Sequence, residues 1–164
     1  TTAEYRAWLE GTDMPKGRPS KFNANAGYRE HLGHHVKSSL ENNTELLIRF
    51  LGYVPLADKG QSPPADGLYY RYEGQELLLP TKRGKIVGYV PDFHLWEANG
   101  KYHLWECKGL MNQRSKQRIS LMAVHYPDIP LRVITAPELN ALKAEALYAA
   151  RRRGEKVLDI AGWE

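Results

Sequence analysis

The sequence predicts a mixed α/β domain, and three observations carry that expectation. An Asn99-Gly100 turn joins two runs rich in aromatic and β-branched residues, 86–96 and 101–108, which reads as an antiparallel hairpin. A helical segment over 112–125 and a short apolar strand over 131–135 follow. A strand, helix, strand succession implies a right-handed crossover and a parallel pair, so the sheet is expected to be mixed. Upstream, Ser38-Ser39-Leu40-Glu41 sets Ser and Glu three apart before the periodic run of Leu46, Leu47, Phe50 and Leu51. This is a capping box that opens a helix, and Gly52 closes it.

The remaining elements follow in order. Tyr5 to Glu10 reads as a short helix, after which Gly11, Pro15, Gly17 and Pro19 break the pattern and leave a basic, Asn-rich arm over 12–26. Residues 61–66 form a Pro-rich turn, 68–72 and 76–79 read as strands, and Lys82 to Lys85 make a basic turn into the strand at 86–96. On the 112–125 helix Ile119, Met122 and Ala123 are expected to face the core. Pro137 suits the first turn of a last helix over 138–152, whose arginines complement the helix dipole. The tetrad His-Leu-Trp-Glu occurs at 94–97 and again at 103–106 and marks two similar strands, too little for a repeat architecture.

The 164 residues fit one domain, 1–164, divided into an arm (1–37), a core (38–135) and a final helix with a tail (136–164). With 42% hydrophobic residues and no apolar run near the roughly 20 residues of a membrane span, no membrane association is expected. The single cysteine, Cys107, cannot form an internal disulfide and no signal peptide opens the chain, so a reducing cytoplasm is the expected compartment. Net charge is +4, but the cations cluster: Lys82, Arg83 and Lys85; Arg114, Lys116 and Arg118 on the 112–125 helix; and Arg151, Arg152 and Arg153 near the end. A polyanionic partner fits the first two clusters, and the third reads as a solvated helix end.

The chemistry is concentrated in Val90-Pro91-Asp92-Phe93 and Trp105-Glu106-Cys107-Lys108-Gly109. Side chains alternate along a strand, so Glu106 and Lys108 share one face while Trp105 and Cys107 take the other. Asp92 lies on the partner strand and comes near Glu106. Two close carboxylates repel unless a hard cation sits between them, and a lysine beside them can orient an attacking water. Cys107 points away from that face as a buried small hydrophobe. His34 and His35, which diverge on a helix, read as surface, whereas His94, His103 and His125 read as packing residues.

Pro91-Asp92 with Glu106-Cys107-Lys108 resembles the PD-(D/E)XK nuclease superfamily. Lys37-Ser38-Ser39-Leu40-Glu41, Val90-Pro91-Asp92-Phe93, Trp105 to Leu110 and Leu131-Arg132-Val133-Ile134 together are similar to the phage endonuclease I type of Holliday junction resolvase, with archaeal-type resolvases close in layout. The resemblance implies a restriction-endonuclease-like mixed β-sheet flanked by α-helices. It further implies Mg²⁺, with Mn²⁺ as a substitute, held by Glu41, Asp92, Glu106 and the Cys107 backbone carbonyl, with Lys108 as the catalytic cation. The implied activity is paired cleavage of four-way DNA junctions by a homodimer in a bacterial or phage-infected cytoplasm. Lys82, Arg83, Lys85, Arg114, Lys116 and Arg118 are the expected DNA contacts. Two longer insertions depart from the phage type, one between Glu41 and Asp92 and one in the hairpin. Another nuclease of the superfamily, restriction-like or otherwise, and a non-catalytic DNA-binding module are the alternative readings. Each residue also has a plain role: Glu41 completes a capping box, and Glu106 with Lys108 forms a surface ion pair.

Overall fold

Helix formation begins where the sequence supplies a cap. In the computed structural model, which describes residues 26–56 and 62–164, helix α1 (Ser39–Phe50) starts at Ser38, whose Oγ accepts from Glu41 N–H at 3.2 Å. It ends as expected at Gly52, in the left-handed conformation that glycine tolerates (φ 94°). The expected helix at 5–10 and nearly all of the arm at 12–26 lie outside the described residues.

The strands are β1 (Gly27–Arg29), β2 (His34–Val36), β3 (Val54–Pro55), β4 (Tyr69–Tyr72), β5 (Leu77–Pro80), β6 (Ile86–Tyr89), β7 (Phe93–Trp96), β8 (Tyr102–Cys107) and β9 (Leu131–Ile134). Helix α2 (Gln113–His125) lies between β8 and β9, and α3 (Ala136–Arg152) follows β9. A mixed five-stranded sheet runs β3-β4-β7-β8-β9, with parallel pairs at its two ends and antiparallel pairs inside. The β8-α2-β9 unit is the expected crossover.

One expectation about the strands needs correction. The run 86–96 is not one strand: β6 ends at Tyr89 and β7 begins at Phe93, because Pro91 has no N–H to give a ladder. β5 and β6 pair with each other as a separate hairpin outside the main sheet. The arm boundary at 37 is also too late, since β1 and β2 form a hairpin whose Leu32 and Val36 are buried in the main core.

Alternation divides the central sheet into two faces. Tyr70, Phe93, Leu95, Trp105, Cys107 and Ile134 pack with Leu46 and Leu47 of α1 and Leu139 of α3. On the reverse face Leu104 joins Leu77, Leu79 and Tyr89 of the side hairpin and Met122 of α2. Of the three α2 residues expected inside, Met122 is buried, Ile119 is half-buried and Ala123 is exposed. The two His-Leu-Trp-Glu tetrads fall on opposite faces. They are nine positions apart, while the ladder pairs residues of equal parity (Phe93 with Trp105, Leu95 with His103). Leu95 and Trp105 therefore share one core, and Leu104 enters the other.

Helix α1 carries buried polar residues, each with partners. Glu45 accepts from Tyr70 OH at 2.6 Å and Arg49 Nη2 at 2.8 Å, and pairs with His34 Nε2 at 2.7 Å. Arg49 continues to the carbonyls of His31 and Leu32, which fastens the β1-β2 turn to α1. His34 is thus a half-buried partner of Glu45, stacked on Tyr72, and not a surface residue. Asn43 exchanges hydrogen bonds with the backbone of Glu164, whose carboxylate reaches Arg29 and Ser39, so the tail closes over α1. No described helix is long and apolar enough to cross a membrane.

The Glu45 network makes stability depend on pH in two directions. Burial pushes the Glu45 carboxyl up, but hydrogen bonds from His34 and Tyr70 bring it below the ordinary 4.5. Burial likewise pulls His34 down, and its bond to Glu45 raises it above 6.5. The Glu45 contribution is present above pH 4.5 and lost as pH falls through its folded pKa. That of His34 is full below pH 6.5 and lost as pH rises through its folded pKa. Denaturant titrations from pH 3 to 9 should show the wild-type advantage over Glu45→Gln peaking between 4.5 and 6.5. A pH-independent difference would remove the ion pair from the account. Glu45→Ala, which strands Arg49 and His34, should cost about 3–5 kcal/mol.

Candidate functional site

The break at Pro91 leaves Asp92 where the chain crosses from the side hairpin to the central sheet. Extending the β7-β8 ladder one pair past Phe93 and Trp105 sets Asp92 opposite Glu106. Asp92 N–H donates to Glu106 Oε2 at 3.3 Å, and Cys107 N–H donates to Asp92 Oδ2 at 2.7 Å. Both carboxylates are buried. Glu106 and Lys108 share a face, as alternation requires, and form an ion pair. Cys107 takes the opposite face, where its Sγ lies 3.3 Å from Thr44 Oγ1 and burial pushes the thiol well up.

Glu41 reaches the same region from the first turn of α1. Its carboxylate accepts from Tyr72 OH at 2.6 Å, Lys37 N–H at 3.0 Å and Ser38 Oγ at 3.2 Å, so its capping role and its place beside the site are one arrangement. The three acids interact: burial first, then the charges of Glu106 and Glu41, hold the Asp92 carboxyl well above its usual range, against the opposing pull of Lys108. Burial and the charge of Glu41 likewise raise the Tyr72 phenol, and burial with Glu106 raises that of Tyr89.

Lys37 is a second cation here. Although burial pulls it down, Glu73, Glu41 and Asp92 raise its pKa, and its ammonium pairs with Glu73. Glu73 adopts a left-handed backbone (φ 44°) and its N–H donates to the Asp92 carbonyl at 2.8 Å. A non-glycine residue there is strained, and such strain is concentrated at functional sites. The sequence signal for Lys37 is its place beside the N-cap, four positions before Glu41. For Glu73 no local signal exists, since its partners, Lys37 ahead of α1 and Asp92 just before β7, are distant in sequence.

A cleft of about 610 Å³ opens beside Glu41 and Lys108, lined by Lys37, Ser38, Cys107, Asn112 and Ser115 among others, with Asp92 and Glu106 buried behind that lining. It runs between two helix N-termini, because Asn112 caps α2 by accepting from Ser115 N–H at 2.9 Å. Unpaired amides and the positive ends of both helices favour an anion between them. The remaining cations are divided. Lys82, Arg83 and Lys85 edge a second groove of about 760 Å³ against Gln117 and Leu121 of α2. Arg114 and Lys116 are exposed on α2, whereas Arg118 turns inward, its guanidinium 6.0 Å from the Tyr89 ring centre.

Hard oxygen donors crowded into a buried, mutually repelling cluster suit Mg²⁺ in kind. As the side chains stand, Asp92 faces the Cys107 amide, Glu106 faces Lys108 and Glu41 faces Tyr72. Among the described residues no group of three or more His, Cys, Asp or Glu converges on one point. No protein-family model, curated protein or solved structure matches this chain.

Relieving the crowding should stabilise the fold. Asp92→Asn keeps an acceptor for the Cys107 amide and removes one like charge, a change worth about 1 kcal/mol or about 2–4 °C for a chain of this size. Thermal unfolding in EDTA checks it, and a variant that melts below wild type would show the carboxylate to be unstrained.

Proposed function

We propose that the protein is a metal-dependent endonuclease that resolves four-way DNA junctions, with the PD-(D/E)XK chemistry its motif resembles and a restriction-endonuclease-like arrangement of its mixed sheet. The observation that carries this reading is the burial of Asp92, Glu106 and Glu41 together beside a cleft flanked by two helix N-termini and two lysines. Acids alone would repel DNA, and cations alone would only bind it. Their combination suits a phosphodiester that is held and cut.

Asp92, Glu106, Glu41 and the Cys107 carbonyl would hold the ion, which when bound supplies the charge that activates water and offsets charge developing on phosphorus. The chain's own groups do the rest. Lys37 and the N-termini of α1 and α2 seat the scissile phosphate. Lys108 gives up part of its pairing with Glu106 to orient the attacking water and stabilise the transition state. The products expected from the resemblance are a 5′-phosphate and a 3′-hydroxyl. Lys82, Arg83, Lys85, Arg114 and Lys116 extend the cationic surface beyond the cleft and hold phosphates of the branch arms by shape more than by base. Two symmetric cuts call for a two-fold homodimer.

One observation favours a second reading, a non-catalytic DNA-binding module: each carboxylate already has a protein partner and no three converge among the described residues. Gel assays on four-way junction, flap and linear duplex, each with Mg²⁺ or EDTA, separate the cases. Cutting of the junction with Mg²⁺ alone supports resolution, equal cutting of linear duplex supports another nuclease of the superfamily, and binding without cutting supports the module. Asp92→Asn and Lys108→Ala should each lower cutting at least about 10²-fold with junction binding retained.

The groove cations should act through phosphate alone. Replacing Lys82, Arg83 and Lys85 by Ala should flatten the dependence of log K on log salt by about 0.9 for each phosphate no longer neutralised. Fluorescence anisotropy at several salt concentrations measures that slope, and an unchanged slope would place the three cations off the DNA path.

A further inference from the structure

A separate cavity of about 510 Å³ lies on the reverse face of the sheet, roofed by β5 and the end of α2, and none of the carboxylates Glu41, Asp92 or Glu106 lines it. Its volume falls within the roughly 300–1,000 Å³ of small-molecule sites. Its floor is aromatic. Trp96 and Tyr102, paired across β7 and β8, stack at 5.3 Å with 23° between their planes, and the Arg71 guanidinium lies 5.5 Å from the Trp96 ring centre. Tyr126, at the end of α2, supplies another ring, fixed by a 3.2 Å bond from its hydroxyl to the Leu78 carbonyl. Exposed Gln75 and Glu76 stand at the mouth.

The polar group at the back is His94. The residue is 1% exposed, its Nδ1 lies 2.6 Å from Tyr102 OH, and its Nε2 is buried with no hydrogen-bond partner. An unpartnered buried ring nitrogen is costly unless something completes it. The ring is also closely fitted: a Cβ on Gly74 would stand 2.8 Å from His94 Cδ2, so that loop or the ring would have to shift. Because a tyrosine hydroxyl can donate or accept, His94 can present Nε2 either as donor or as acceptor.

We propose that this cavity binds a nucleobase, stacked on the Trp96–Tyr102 surface with its polar edge toward His94 Nε2. A base fits because it offers a π-face to aromatic rings and a guanidinium, together with an edge of donors and acceptors. An aliphatic ligand would leave His94 Nε2 unpaired, and an inorganic anion would leave the stacked rings uncovered. The base can come from a free nucleotide or from an unpaired position in a DNA strand, and the chemistry of the slot is the same for both.

The test is independent of cleavage and is run in EDTA. The indole N–H signal of Trp96, assigned by its absence in Trp96→Phe, is followed by NMR in the full chain. The titrants are the four deoxynucleoside monophosphates, a short single strand, and the same strand with one abasic position. The signal should shift and saturate. Equal response to free nucleotide and to both strands identifies a free nucleotide as ligand, whereas tighter binding of the intact strand than of the abasic one identifies a strand base. His94→Phe and Tyr126→Leu should each weaken binding about tenfold or more. If His94→Phe does not fold, Tyr126→Leu decides. No shift with any titrant at millimolar concentration, or a shift that survives in the folded variants, overturns the proposal, and neither result bears on metal-dependent cutting.

Discussion

The Cys107 amide donates to the Asp92 carboxylate at 2.7 Å, and the rest of the site takes its position from that bond. It exists because Pro91 ends the ladder on one side while β8 continues for the length of its partner β9. An amide left without a strand partner must find another acceptor if it is buried, and the first side chain beyond the proline provides one. The same ladder brings Glu106 beside Asp92 and lays Lys108 along Glu106. Charge crowding is therefore a by-product of sheet pairing, and the sheet, packed on both faces, is stiff enough to hold it.

Two cores share that sheet, and the site lies where both come to its end. One core ties β1-β2, α1 and the tail together through Glu45, Arg49, Asn43 and Glu164, so the orientation of Glu41 is fixed by interactions well beyond its own helix turn. The other sets the side hairpin and α2 on the reverse face, bringing Tyr89 beside Glu106 and Arg118 against the Tyr89 ring. Glu41 thus comes from one layer, Tyr89 from the other, and Asp92 and Glu106 from the sheet between.

What is legible in the sequence is local. The capping box at Ser38, the Asn99-Gly100 turn, the side-chain alternation through β8 and the crossover to β9 all follow from spacing within a few residues, and they position Glu41, Glu106 and Lys108. The features that escape a sequence reading depend on pairing at a distance. Nothing within β5 or β6 states that these two strands pair with each other and leave the main sheet, apart from the proline whose effect extends past its own position. His34 reads as surface because adjacent histidines say nothing of a glutamate eleven positions on, turned toward them by α1. Lys37 and Glu73 meet only because α1 begins where β4 ends.

The turn at Glu97 to Lys101 is closed by bonds from Glu97 N–H to the Lys101 carbonyl and from Gly100 N–H to the Glu97 carbonyl, with Gly100 in the left-handed region (φ 78°). It lies at the opposite end of the hairpin from Asp92, yet it sets the register of every pair below it. Sliding β8 by one position would place the Trp105 indole where Glu106 stands and drive a carboxylate into the core against Leu47. Loop length there works as a gauge block: a spacer that touches neither Asp92 nor Glu106 and still decides, by parity alone, whether this sheet has an acidic edge or an oily one.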